Sequence, residues 1–184
     1  EGESENQFVD RIVSNLENLI ISENPETIAA FIAEPITGAS GVIVPPEGYY
    51  EKVQSVLSKY NIMFWADEVI TGFGRTGSDF GCTTMNIHDP DMMTFAKQLS
   101  SAYMPISASA IRRDVYEAMI DQSAAAGAFG HGYTYSGHPV ACAVALRVLE
   151  IYERDNIFSR ASSTGASLQA QLKIFESHPL VGEV

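Results

Sequence analysis

Apolar positions Phe8, Ile12, Leu16, Leu19 and Ile20 recur at helical spacing and predict an amphipathic helix over about residues 5–22, ended by Pro25. Ile28-Ala29-Ala30-Phe31-Ile32-Ala33 is instead a continuous apolar run stopped by Glu34-Pro35, the pattern of a strand buried on both faces. Gly38, Gly41, Pro45, Pro46 and Gly48 make residues 37–48 a loop. A second helix follows from about Tyr49 to Tyr60, with Val53, Val56 and Leu57 facing inward. Ile62-Met63-Phe64-Trp65-Ala66 predicts a second strand ending at Asp67 and Glu68, and the glycine-rich stretch 71–77 comes after it. Met92-Met93-Thr94-Phe95-Ala96 predicts a third strand ending at Lys97, and Pro105 to Ile111 a fourth. Residues 122–137, rich in Gly, Ala and Ser, read as a loop. Pro139 to about Arg154 reads as a long helix with Val140, Val144, Leu146 and Leu149 as core positions. A last helix covers about 157–176, and Leu180–Val184 reads as the opening of a strand. Such alternation predicts an α/β layer with a mostly parallel sheet.

Composition narrows the class. The 184 residues are enough for one sizeable core, and 46% hydrophobic with 18% charged residues excludes a disordered chain. A net charge of −12 with only 11 Lys+Arg excludes a nucleic-acid partner, because phosphate contacts need clustered cations. Every apolar stretch is interrupted before the ~18 residues that a membrane span requires. Cys82 and Cys142 show no C-x-x-C or zinc pattern and read as free thiols in a reducing cytoplasm. The acidic start, Glu1-Gly2-Glu3-Ser4-Glu5, is unlike a signal peptide. The missing initiator Met and the abrupt last residues predict a piece of a longer protein.

Three polar residues end apolar runs: Glu34, Asp67 and Lys97. In open α/β sheets, ligands bind beyond the carboxyl ends of the strands. A lysine drawn into a low-dielectric rim has its charged form disfavoured, which frees an amine nucleophile near neutral pH. The plainer readings are a strand-end lysine reaching solvent, or an ion pair with Asp67. The glycine-rich loop and the Thr/Ser-rich segment 134–136 favour a cofactor site. His131 and His138 lack a metal-ligand pattern, so no metal is expected.

Four segments carry a resemblance. They are Phe31-Ile32-Ala33-Glu34-Pro35-Ile36, Ala66-Asp67-Glu68-Val69-Ile70-Thr71-Gly72-Phe73-Gly74-Arg75-Thr76-Gly77, Phe95-Ala96-Lys97-Gln98-Leu99-Ser100-Ser101 and Gly132-Tyr133-Thr134-Tyr135-Ser136-Gly137-His138-Pro139. In order and spacing they resemble the class III, or ω-transaminase type, aminotransferases that use pyridoxal 5′-phosphate (PLP). The lysine stands 30 residues after Asp67, the most specific part of the match.

The resemblance implies the large domain of the PLP-dependent transferase fold (fold type I), a mostly parallel mixed sheet flanked by helices. Residues 1–154 would belong to that domain, and 155–184 would lead by a helix and a strand into a small C-terminal domain. Amino-group transfer from an amine or ω-amino acid to a keto acid such as pyruvate would run through a Schiff base on Lys97, which also shuttles the proton. Asp67 would pair with the pyridinium nitrogen. Val69 would pack on the ring, unless it is an ordinary core valine. Thr134 would reach the PLP phosphate of the partner in a homodimer, and Glu34 would either support the cofactor end of the site or stand as a plain strand-end carboxylate. Arg75 belongs to the loop motif and reads as structural rather than as a substrate-carboxylate clamp. Gly72, Gly74 and Gly77 would supply tight turns.

Several positions depart from the family pattern. Gln98 and Ala102 replace glycines common in relatives. Ile70 and Ala39 stand where ornithine-type members carry Gln and an acidic residue, which points to the amine:pyruvate branch. The same core residues would also serve a decarboxylase, racemase or aminomutase. A non-catalytic α/β binding domain is the remaining alternative.

Overall fold

The computed structural model describes residues 2–182 and 184. Helix α1 spans Glu5–Glu23. It starts at a capping box in which Ser4 Oγ accepts from Gln7 N (3.3 Å) and Gln7 Oε1 accepts from Ser4 N (2.9 Å). Asn24 closes it at φ 69°, and Pro25 opens the short 3₁₀ turn Pro25–Thr27. Strand β1 (Ala30–Ala33), helix α2 (Tyr49–Lys59) and strand β2 (Met63–Asp67) then form a βαβ unit of parallel strands. A one-turn helix α3 (Gly81–Thr84) precedes β3 (Met92–Phe95), and β4 (Ala108–Ile111) follows. The sheet order is β1-β2-β3-β4, parallel except for the antiparallel β3–β4 pair. This is the mixed, mostly parallel sheet that the strand pattern predicts.

The core lies between the sheet and α1 with α2. Val9, Val13 and Ile20 of α1 meet Tyr50, Val53, Val56 and Leu57 of α2 over Phe64 and Ala66 of β2. Phe31 and Phe64, cross-strand partners, extend it at 5.5 Å between ring centroids. The buried cluster among the described residues lies on this face. Ile32, expected inside a strand buried on both faces, is 57% exposed. Its side chain alternates away from Phe31, onto the face that α1 and α2 do not cover.

Two expectations about helices change. Residues 113–126 form helix α4 (Arg113–Ala126), so the predicted loop begins only at Gly127, whose φ of 80° ends the helix. Ala124, Ala125 and Ala126 are strong helix formers rather than loop residues. Helix α5 (Pro139–Arg154) has the predicted bounds, with Pro139 in the first turn. Its buried stripe is Ala141, Ala145 and Val148, whereas Val140 and Leu146 are exposed. Small alanines let α5 lie close against the turn Lys97–Ser100, and that neighbour decides which face turns inward. Helix α6 spans Ile157–Leu172 and tightens into a 3₁₀ turn, Lys173–Phe175. The strand expected over 180–184 is not formed at residues 180–182, and Glu183 lies outside the described residues.

Candidate active site

The registers Ala33↔Ala66 and Asp67↔Thr94 bring the carboxyl ends of β1, β2 and β3 to one edge. Glu34, Asp67 and Lys97 leave the sheet there on neighbouring strands, which lie about 4.8 Å apart. Asp67 shares a face with Trp65, whose indole Nε1 donates to Thr94 Oγ1 at 2.6 Å. Asp67 Oδ1 accepts from Val69 N at 3.0 Å, an Asx turn that fixes both residues. Among the described residues its second oxygen takes no donor, and no salt bridge joins Asp67 to Lys97. Val69 is half-buried beside it. Glu34 is engaged locally: its Oε2 accepts from Gly38 N (2.9 Å), and its carbonyl accepts from the Tyr50 hydroxyl (2.6 Å). Burial, with Tyr49 next to it, pushes the Tyr50 phenol up.

Lys97 opens a 3₁₀ turn, Lys97–Ser100, and adopts φ 43°. The expected low-dielectric rim is not built around it by this chain, because the side chain is exposed. Its backbone, however, is held from several sides. Leu99 and Ser100 are buried, and Ser100 Oγ donates to Met104 O at 2.6 Å. With the Gln98 amide oxygen turned toward Arg75, it accepts from Nε and Nη2, each at 2.8 Å. Arg75 therefore braces the residue after the lysine, the structural role expected for it. The Tyr152 hydroxyl of α5 donates to the Gln98 carbonyl at 2.8 Å and contacts Ser101 Oγ.

Glu68 was not singled out from its neighbours in the sequence, yet it is fully buried. Its carboxylate accepts from Thr71 Oγ1 (2.6 Å), Gly81 N (2.9 Å) and Cys82 N (2.7 Å). It thereby ties the end of β2 to the first turn of α3. Burial, and then the adjacent Glu68 carboxylate, pushes the Cys82 thiol up. A carboxylate directly after Asp67, followed by Thr three residues on, was the only local signal.

The glycine-rich loop packs under α6. Gly74 (φ 89°) and Gly77 are left-handed, as tight turns require, whereas Gly72 serves by close approach to the Glu68 carbonyl. A Cβ on Gly74 would lie 2.5 Å from Phe158 Cδ1. Gly74→Ala is expected to destabilise by about 3 kcal/mol, from left-handed strain plus overpacking against Phe158. Urea unfolding monitored by fluorescence would check this, and an unchanged midpoint would contradict the packing described.

Thr134 is exposed on the loop 127–138, inside a turn where Ser136 N donates to Tyr133 O at 2.9 Å. Among the described residues no hydrogen bond links it to Glu34, Asp67 or Lys97. This chain thus gathers four of the five expected site residues at one edge, while Thr134 stands on the loop 127–138. A cleft of about 1030 Å³ lies between Met104–Ser109 and the turn carrying Tyr133 and Tyr135. Among the described residues no group of three His, Cys, Asp or Glu could hold a metal, and no helix is long and apolar enough to cross a membrane.

Known proteins share this arrangement. The chain is 54% identical over 183 residues to a tomato (Solanum lycopersicum) protein named gamma aminobutyrate transaminase 3, chloroplastic, covering 100% of the chain and 35% of that protein. It is 51% identical to vanillin aminotransferase of Capsicum chinense, covering 100% of the chain and 40% of that protein. The crystal structure of the ω-transaminase from Pseudomonas jessenii in complex with PMP superposes with a TM-score of 0.97 at 55% identity, over 99% of this chain and 40% of that one. The chain spans well under half the length of these relatives. The family profile described as aminotransferase class-III matches residues 1–184, end to end. With the lysine and aspartate tips on adjacent parallel strands, this match means that the chain belongs to the class III aminotransferases.

Proposed function

We propose that the protein containing this chain is a PLP-dependent aminotransferase that moves an amino group from an amine or ω-amino acid to a keto acid such as pyruvate. One observation carries the reading: an exposed primary amine, Lys97, and a carboxylate with an oxygen that takes no donor among the described residues, Asp67, leave neighbouring strands at one edge. That donor set fits PLP, which needs an amine for its aldehyde and an anion for its protonated ring nitrogen. Bound PLP supplies an electron sink that stabilises negative charge at the substrate carbon.

The remaining work falls to the chain's own groups. Lys97 Nζ holds the cofactor and, when free, accepts and returns a proton at that nitrogen. Asp67, fixed by the Val69 N–H, keeps the ring nitrogen protonated. Val69, half-buried beside Asp67, would line the ring face. Glu34 supports the site indirectly, by closing the loop through Gly38. Thr134, exposed and remote from Lys97 in hydrogen bonding, fits a role at the phosphate bound by the partner in a homodimer. We assign residues 1–154 to the PLP-binding large domain and 155–184 to the passage into the small domain. The two free thiols support a reducing compartment, the cytoplasm on our reading, although relatives named chloroplastic and mitochondrial show that the family extends beyond it.

The relatives' names favour ω-amino acids and aromatic aldehyde–amine pairs as substrates, with alanine–pyruvate as the second couple. Full-length protein loaded with PLP should form alanine when given pyruvate and 4-aminobutyrate or an arylmethylamine. Release of CO2 without alanine would instead identify a decarboxylase on the same scaffold.

A further inference from the structure

We propose that Tyr152 is a positioning residue for Lys97, acting through the backbone of the turn that carries the lysine; the inference rests on the PLP reading above. The turn is conformationally unusual. Lys97, Ser101 and Ala102 have φ of 43°, 49° and 62°, three non-glycine residues in the left-handed region within six positions. Such conformations persist only where surrounding contacts over-determine them.

The contacts that do so come from distant parts of the chain. Tyr152, on the last turn of α5, places its hydroxyl between the Gln98 carbonyl (2.8 Å) and Ser101 Oγ, so that one atom spans the turn from its second residue to its end. The ring is set from behind by Phe158, at 5.6 Å between centroids, and Phe158 also abuts Gly74. Arg75, the residue after Gly74, holds the Gln98 side chain. The peptide following Lys97 is therefore gripped at its carbonyl by α5 and at its side chain by the glycine-rich loop. Lys97 itself has no salt bridge among the described residues and is exposed, so its direction depends on this backbone. Without the phenol oxygen, the turn would be free to relax toward unstrained φ values and swing Nζ away from the direction set by the sheet edge.

Tyr152→Phe tests the inference, since it removes the hydroxyl and keeps the ring on Phe158. Full-length apo-protein would be mixed with PLP, and capture on Lys97 followed by borohydride trapping and mass, together with the pH midpoint of the bound cofactor's visible band. Capture by Tyr152→Phe should be slowed about ten-fold, as expected for the loss of two hydrogen bonds. The pH midpoint should shift, while apo-protein melting changes little. Ser101→Ala, which removes one of the two contacts, should slow capture by a smaller factor, and the double variant no more than Tyr152→Phe alone. Wild-type rates and an unmoved midpoint in Tyr152→Phe would overturn the proposal. Should that variant fail to fold, wild-type behaviour of Ser101→Ala would overturn it equally. A wild-type protein that traps no PLP on Lys97 would instead bring down the functional reading, and this inference with it.

Discussion

Lys97→Ala in the full-length protein is expected to abolish borohydride-stable PLP labelling and to cut amino transfer by at least about 10²–10⁴-fold, the contribution of a positioned acid–base group alone. The expectation follows from placement. Lys97 is the lysine at the carboxyl edge of the parallel strands, beside Asp67, and no other lysine follows an apolar run there. On the proposed reading, removing the amine would take away both the covalent hold on the cofactor and the proton carrier. Non-covalent PLP should still bind, because Asp67 remains, and a small added amine should restore part of the turnover. The measurements are the mass of the reduced protein and the rate of alanine formation. A variant that still labels with PLP on a different lysine, at wild-type turnover, would place the reactive amine elsewhere.

Glu68→Ala is expected to cost about 3–5 kcal/mol of stability, the range for breaking a buried, hydrogen-bonded charge site. Its carboxylate answers three donors: the Thr71 hydroxyl and the Gly81 and Cys82 N–H groups. Two of these are at the start of α3, where an anion is favoured. Truncation leaves all three donors buried without an acceptor, since the methyl of alanine offers none and the pocket is closed. Glu68→Gln should cost less, because one amide oxygen remains, but more than a surface change, because its NH2 would face N–H donors. Thermal and urea unfolding of the two variants would rank them. Equal stability of wild type and Glu68→Ala would mean that the carboxylate is not the tie between β2 and α3.

The positions of Lys97 and Asp67, the proposed reactive pair, were legible in the chain because each residue interrupts an apolar run. Met-Met-Thr-Phe-Ala cannot absorb Lys97, nor can Met-Phe-Trp-Ala absorb Asp67, so both must sit at strand tips, and the strand tips of a parallel sheet share an edge. Glu68 was illegible for the opposite reason. Its burial depends on donors 13 and 14 residues away, which only the folded loop brings back. Helix α4 was hidden by composition: Gly127, Gly130 and Gly132, just beyond its last alanines, gave the whole stretch the look of a loop. The face of α5 was misjudged because hydrophobicity favours Val140 and Leu146, whereas close approach to the Lys97 turn favours Ala141 and Ala145. Thr134 shows a different limit. The role proposed for it, at another subunit's phosphate, would have no expression in the contacts of one chain.

The side of the sheet away from α1 and α2 also bears on how this stretch can be re-engineered. Ile32 and Trp65 are register partners on the face that α1 and α2 leave uncovered. A strand with one side matched to its own helices and the other to material outside its own packing layer is not a self-contained module. Chimaeras that graft Ile28–Ile36 from one relative into another would transplant half of a fitted surface. The complementary half has to travel with the graft, or the exchange exposes a sticky seam however well the catalytic edge is preserved.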